Sequence, residues 1–213
     1  MRRGNYMSDF TNLVKSRRSA NNFIDGVEIT QSDLEEIFTL VKYAPSAFNL
    51  QHTHYLVVTD PVLKEKIYES CKQYKVHTSS AVILVLGNRY AYQGVEKINE
   101  GMHHLGILSK QELDRTIETV TGVYEGNGES FMKEDAIRNA SLSAMLFMLS
   151  AKDKGWDTCP MIGFDPNAIK EILEIPDGYE TVMMITIGKE KISSQRPRGY
   201  RKPNGEFVSY NGM

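Results

Sequence analysis

The run Ser80–Leu86, SAVILVL, is an unbroken stretch of aliphatic and β-branched residues closed by Gly87-Asn88. A strand of this kind has no polar face to turn to water, so it predicts a sheet covered on both sides. Two further strands are expected, a brief one over Tyr55–Thr59 and a strong one over Thr181–Ile187, TVMMITI. With so few strands among many helical patterns, the chain reads as α+β, a small mixed sheet flanked by helices. No GxGxxG follows a strand and no GxxxxGK[ST] occurs, so a doubly wound nucleotide fold is not indicated.

The covering helices have recognisable ends. A short helix over Ser8–Arg18 is expected from Phe10, Leu13 and Val14. Ser32 with Glu35 reads as a capping box ahead of the apolar stripe Leu34, Ile37, Phe38 and Val41, which stops at Ala44-Pro45. Asp60-Pro61 and Asp165-Pro166 each pair an N-cap with a proline suited to the first helical turn. The longest helix is expected over Glu134–Lys154, apolar almost all round and therefore central, with Gly155 ending it. Between Gly87 and Leu108 the pattern is polar and gives no clear element; a helical period resumes through Leu113, Ile117 and Val120. Neither repeats nor a low-complexity linker divide the 213 residues, so one domain over 1–213 is expected.

Composition removes several classes of function. A formal net charge of −2 gives no sign of a nucleic-acid partner, and no stretch approaches the ~20 apolar residues of a membrane span. Two cysteines, Cys71 and Cys159, are too few for a disulfide scaffold and fit a reducing cytoplasm. GxSxG, HExxH and CxxC are absent, and His103-His104 lacks neighbouring ligands, so no metal site is expected. His52, His54, His103 and His104 read as surface or packing residues.

What remains are two basic clusters and two loops. Arg17-Arg18-Ser19 places two guanidinium forks and a hydroxyl at a helix-to-loop junction, donors suited to a phosphate monoester. Arg198 and Arg201 belong to a tail, Lys189–Glu206, with six basic residues against two acidic. Taken alone, each cluster also fits a solvated surface. Ala44–Gln51, APSAFNLQ, offers hydroxyl, amide and backbone groups to a polar planar edge, or is simply a helix stop and turn. In Pro160–Phe164, PMIGF, Gly163 points to a close approach of backbone to something, a ligand or the long helix.

Taken in order, R-R-S, A-P-S-A-x-N-x-Q, P-x-x-G-F-D and R-x-x-R-x-P resemble the FMN-dependent nitroreductase family over about Arg17 to Val208. The resemblance implies an interlocked homodimer with two FMN sites at the interface. Arg17, Arg18 and Ser19 would then hold phosphate and ribityl, with Arg201 and Arg198 clamping the phosphate. Asn21 falls where some members carry a lysine near the ring. Pro45, Ser46 and Asn49 would reach the dimethylbenzene side from the partner subunit. Lys72 or Lys75 would face the pyrimidine edge, and Ile162 and Gly163 would present a backbone N–H to flavin N5. Gln51-His52-Thr53 stands where many members have Q-P-W, and Ile162 where some have Glu.

The implied activity is ping-pong hydride transfer from NADH or NADPH through FMN to nitroaromatic, quinone or similar small-molecule acceptors. The flavin carries the redox chemistry, so no catalytic side chain is named. The alternative is a non-catalytic module that stores, delivers or senses FMN, for which the same phosphate clamp would serve.

Overall fold

The computed structural model describes residues 9–213; Ser8, the expected start of the first helix, lies outside them. The strands β1 (Thr53–Val58), β2 (Ala81–Asn88), β3 (Asp157–Met161) and β4 (Tyr179–Gly188) form one sheet in the order β1-β2-β4-β3. All three pairings are antiparallel. The sheet is thus more regular than the mixed one expected, and its parallel component is a single bridge between Ser19 and Thr158 on β3.

Strand β2 behaves as its composition dictates. Residues Ala81–Gly87 are all buried, with Ile83 and Val85 on one face and Val82, Leu84 and Leu86 on the other. On the first face lie α2 (Gln31–Val41), through Leu34, Ile37 and Val41, and α6 (Lys110–Asp153), through Ala140, Ala144, Phe147 and Ala151. The second face packs on Ile67 of α3 (Pro61–Cys71), Val76 of α4 (Lys75–Thr78) and Ile169 of α7 (Pro166–Ile172). Fully burying an aliphatic side chain stabilises by roughly 1.5–3 kcal/mol, so these two layers dominate the fold.

The helix ends follow local chemistry. Asp60 and Asp165 cap α3 and α7 as expected, their carboxylates accepting from Leu63 N–H and Asn167 N–H. The capping box of α2 is Thr30 with Asp33, not Ser32 with Glu35. Both pairs have the required spacing, but the helix begins at Gln31, and Glu35 instead accepts from Gln31 Nε2.

The long helix α6 joins the two helical patterns into one element, broken at Gly128 with φ 73° and ψ −174°. It is not buried all round as expected. Alanines 136, 140, 144 and 151 form the buried face, while Leu142 and Met145 are exposed. Small side chains let α6 approach closely: a Cβ on Gly87 would stand 2.7 Å from the Ala136 carbonyl oxygen. The stretch after β2 that gave no clear pattern holds a 3-10 turn, Ala91–Gly94, and α5 (Val95–His104). It forms a separate apolar cluster in which Tyr92 stacks on Tyr124 of α6 at 5.1 Å.

Candidate active site

The segment after α1 (Asp9–Ser16) runs beside β3, where Ala20 N–H donates to the Thr158 carbonyl at 2.9 Å. The C-terminal tail returns over it, and Arg198 donates to the carbonyl of Arg17 at 3.0 Å and to that of Lys15. Between them opens a cavity of about 280 Å³. Arg17, Arg18, Lys75, Arg196, Arg198 and Arg201 line it, together with Ser19 and Asn21 and with no carboxylate. Two clusters nearly the whole chain apart therefore converge on one point.

This convergence leaves charge unbalanced. Arg17 is held below the usual arginine range by burial and then by the repulsion of Arg198 and Arg201. Its Nη1 is buried and has no hydrogen-bond partner. An orphaned donor in such surroundings costs about 1–3 kcal/mol, or more for a charged group, which an anion would relieve. A phosphate monoester supplies the acceptor oxygens and the negative charge together. The residues present thus fit the phosphate of a flavin mononucleotide.

One carboxylate that sequence reasoning missed holds the two basic segments together from behind. Glu190 is buried, accepting from Asn21 N–H at 3.0 Å and from Gln195 Nε2 at 2.8 Å. Within the sequence it is only one acid in a basic tail, and nothing marks it. Arg196, one of the six basic residues of that tail, also lines the cavity.

The other named residues stand as follows. Asn21 donates its side-chain amide to the Ser194 carbonyl at 3.1 Å, a bond that fastens the tail. Lys75 Nζ lies 3.1 Å from Cys159 Sγ at the cavity wall. Lys72 is outside it, at the left-handed end of α3, paired with Glu69. Ile162 and Gly163 follow β3 and are exposed, Ile162 by 81%. A Cβ on Gly163 would meet nothing nearer than Gln73 Nε2 at 3.6 Å, so packing within the chain does not require glycine there.

Pro45, Ser46 and Asn49 lie elsewhere on the same chain. Ser46 leads a 3-10 turn, Ala47–Asn49, and Phe48, Asn49 and Gln51 all have positive φ, between 50° and 56°. Such conformations cost a non-glycine residue ~1 kcal/mol or more each and need support from the surroundings. Pro45, Ser46 and Gln51 border a second cavity of about 280 Å³ with Phe38, Tyr55 and Ser143, sharing no residue with the basic one. A larger cavity, about 940 Å³, lies between Asp25–Ile29, α2 and β1, and it mixes Asp25, Glu28 and Glu35 with Lys64. Its charges are of both signs, and the orphaned guanidinium makes the smaller basic cavity the candidate anion site.

Beneath the Ser46–Gln51 segment is a buried polar cluster. His52 Nε2 is 3.1 Å from the Tyr124 hydroxyl and 3.2 Å from Asp135 Oδ2, and the hydroxyl donates to Asp135. Arg138 pairs with the other Asp135 oxygen at 2.7 Å. Burial pushes His52 below the ordinary histidine range against the pull of Asp135. The network explains why burial prevails: Nδ1 is buried without an acceptor, so a second proton would have nothing to bond to.

The sequence model of the nitroreductase family matches residues 14–189. The chain belongs to the nitroreductase family. The Bacillus subtilis protein named "Putative NAD(P)H nitroreductase MhqN" is 61% identical over 205 residues, 96% of this chain and 100% of that protein. A crystal structure of "putative nitroreductase ydfN" from Bacillus subtilis superposes with a TM-score of 0.93 at 60% identity, covering 94% of this chain and 98% of that one. A crystal structure of a "putative nitroreductase in complex with FMN" from Exiguobacterium sibiricum has a TM-score of 0.87 at 30% identity, covering 96% and 98%. Nitroreductases are oxidoreductase enzymes that use FMN with NAD(P)H, and this chain is one of that family's enzymes. Arg196, Arg198 and Arg201 lie beyond the matched span, and Arg198 is tied to it by its bonds to the Lys15 and Arg17 carbonyls.

Proposed function

We propose that this nitroreductase binds FMN by its phosphate in the basic cavity and passes hydride equivalents from NADH or NADPH to nitroaromatic, quinone or similar small acceptors. The observation that carries this reading is the unpartnered Nη1 of Arg17 among six basic side chains. When bound, FMN supplies the ring that accepts and donates hydride.

The chain's own residues then have definable tasks. Arg17, Arg18, Arg198 and Arg201 bind and orient the phosphate, with Ser19 beside them, while Lys75 offers a cation that strengthens the hold on an electron-rich ring edge. The backbone at Ile162 and Gly163 is open to an approaching planar group. Pro45, Ser46 and Asn49 are separated from the basic cavity within one chain, so a second copy is the natural source of that wall, and the functional unit is a homodimer. Lys72, bound to Glu69, takes no part. No described helix is long and apolar enough to cross a membrane, and Cys71 and Cys159 are free thiols, which favours a reducing cytoplasm.

The test is an absorbance spectrum of the purified protein followed by anaerobic NADH and then NADPH. Oxidised flavin that bleaches is expected, and the nucleotide that bleaches it faster is the preferred donor. Colourless protein that takes up no added FMN would overturn the reading. A tightly held flavin that neither nucleotide bleaches would leave the non-catalytic module instead.

A further inference from the structure

The Ser46–Gln51 segment is strained, exposed at Phe48 and Asn49, and yet fixed at both ends by one stretch of α6. At its start, Ala47 N–H donates to Asn139 Oδ1 at 2.8 Å, and Asn139 Nδ2 donates in turn to the Asp135 carbonyl at 2.7 Å. Just past its end, His52 meets the carboxylate of the same Asp135. Asn139 and Asp135 are each 3% exposed and His52 is 1% exposed. The helix could be capped, packed and made amphipathic without either polar residue. A buried amide and a buried carboxylate one turn apart, both directed at one surface segment, call for a reason beyond helix stability.

We propose that Asn139, itself held by the Asp135 carbonyl, is a positioning residue: it fixes the Ser46–Gln51 segment, with Phe48, Asn49 and Gln51 left-handed, so that the segment is preformed to receive the partner subunit's FMN. This rests on the proposed function, in which that segment supplies the far wall of the flavin site. An unsupported segment would relax out of its positive-φ conformations, and binding would then have to bear the cost of restoring them. A pre-set segment removes that cost. Tyr124, which joins the Asp135 carboxylate from the far side of the Gly128 break, orients the carboxylate toward His52.

The test uses the full-length protein and follows two readouts, the FMN dissociation constant and amide hydrogen exchange of the segment in FMN-free protein. Asn139→Ala removes the acceptor. Ala47→Pro removes the donor from the opposite side at the first position of the 3-10 turn, which follows an extended residue and so tolerates proline. Each is expected to weaken FMN binding about tenfold and to speed exchange at Leu50 and Gln51 by a similar factor, the effect of one lost buried hydrogen bond. The double variant should be no worse than either single, because both break the same bond. Ala151→Gly, which weakens the same helix at its far end, should leave both readouts unchanged.

Several results would overturn the inference. These are wild-type affinity and exchange in both single variants, effects that multiply in the double variant, or an equal loss in Ala151→Gly, which would make the effect one of general stability. Wild-type protein that takes up no FMN would overturn the proposed function instead, and the exchange rates would still decide whether Asn139 holds the segment.

Discussion

In the basic cavity donors outnumber acceptors, whereas along Ser46–Gln51 they are matched: Ala47 N–H with Asn139, Asn49 N–H with the Ser46 carbonyl, Gln51 N–H with Ser46 Oγ. The first region is assembled from chain ends and left electrostatically incomplete. The second is one short loop whose first donor is met by Asn139 of α6 and whose later ones are met by Ser46. A site for a charged ligand gains from donors kept waiting, while a wall for a planar ring gains from a fixed shape.

That contrast can be broken most sharply at Arg17. Arg17→Ala is expected to cost ~2–5 kcal/mol of FMN binding, the usual penalty for truncating one partner of a desolvated charge pair. The flavin-free protein should be no less stable, since the substitution also removes repulsion with Arg198 and Arg201. FMN content after purification and the thermal midpoint of the stripped protein check the two halves; a stripped variant that melts lower would show the cavity to be satisfied after all.

Asp135→Ala should act first on folding. Stranding the Tyr124 hydroxyl and His52 in the interior costs about 2–3 kcal/mol of folding stability, read as a lower urea midpoint. A smaller effect separates the regions by pH. Because folded His52 resists its second proton, the unfolded chain takes it up first as pH falls below ~6.5. Stability should therefore be full above that pH and decline below it by at most ~1.4 kcal/mol per unit. His52→Gln should flatten that decline in urea titrations between pH 8 and pH 5, and an unchanged slope would assign it to other groups.

Least of all, Thr30→Ala should cost about 1 kcal/mol through the lost cap of α2 and leave FMN affinity alone, since the cap touches neither region. Calorimetry beside a flavin titration would show whether the loss stays local.

Legibility in the sequence followed the range of the interactions. β2, the Asp-Pro helix starts and the Gly155 stop depend on neighbours a few residues away, and these could be read directly. Thr30 and Ser32 compete for the same capping role within two positions, so spacing alone chose the wrong one. The stretch from Gly87 to Leu108 was opaque because its order comes from Tyr92 stacked on Tyr124, more than thirty residues on. His52 reads as any surface or packing histidine until α6 brings Asp135 and Tyr124 to it. The basic residues were visible as two clusters, but their meeting depends on Glu190, which no local pattern distinguishes.

The glycine that interrupts α6 has a consequence for how such a chain can diversify. Between Tyr124 and Asp135 the count of residues is fixed, because the two side chains must meet across the break. Before Tyr124 the helix is held instead by Ile117 and Val120, in the apolar cluster with Tyr92 and Val95. Changes of length there would have to be answered within that cluster, while the contacts of Ala136, Ala140 and Ala144 kept their register. Selection can therefore remodel this outer half together with its cluster and leave the packing of the sheet alone.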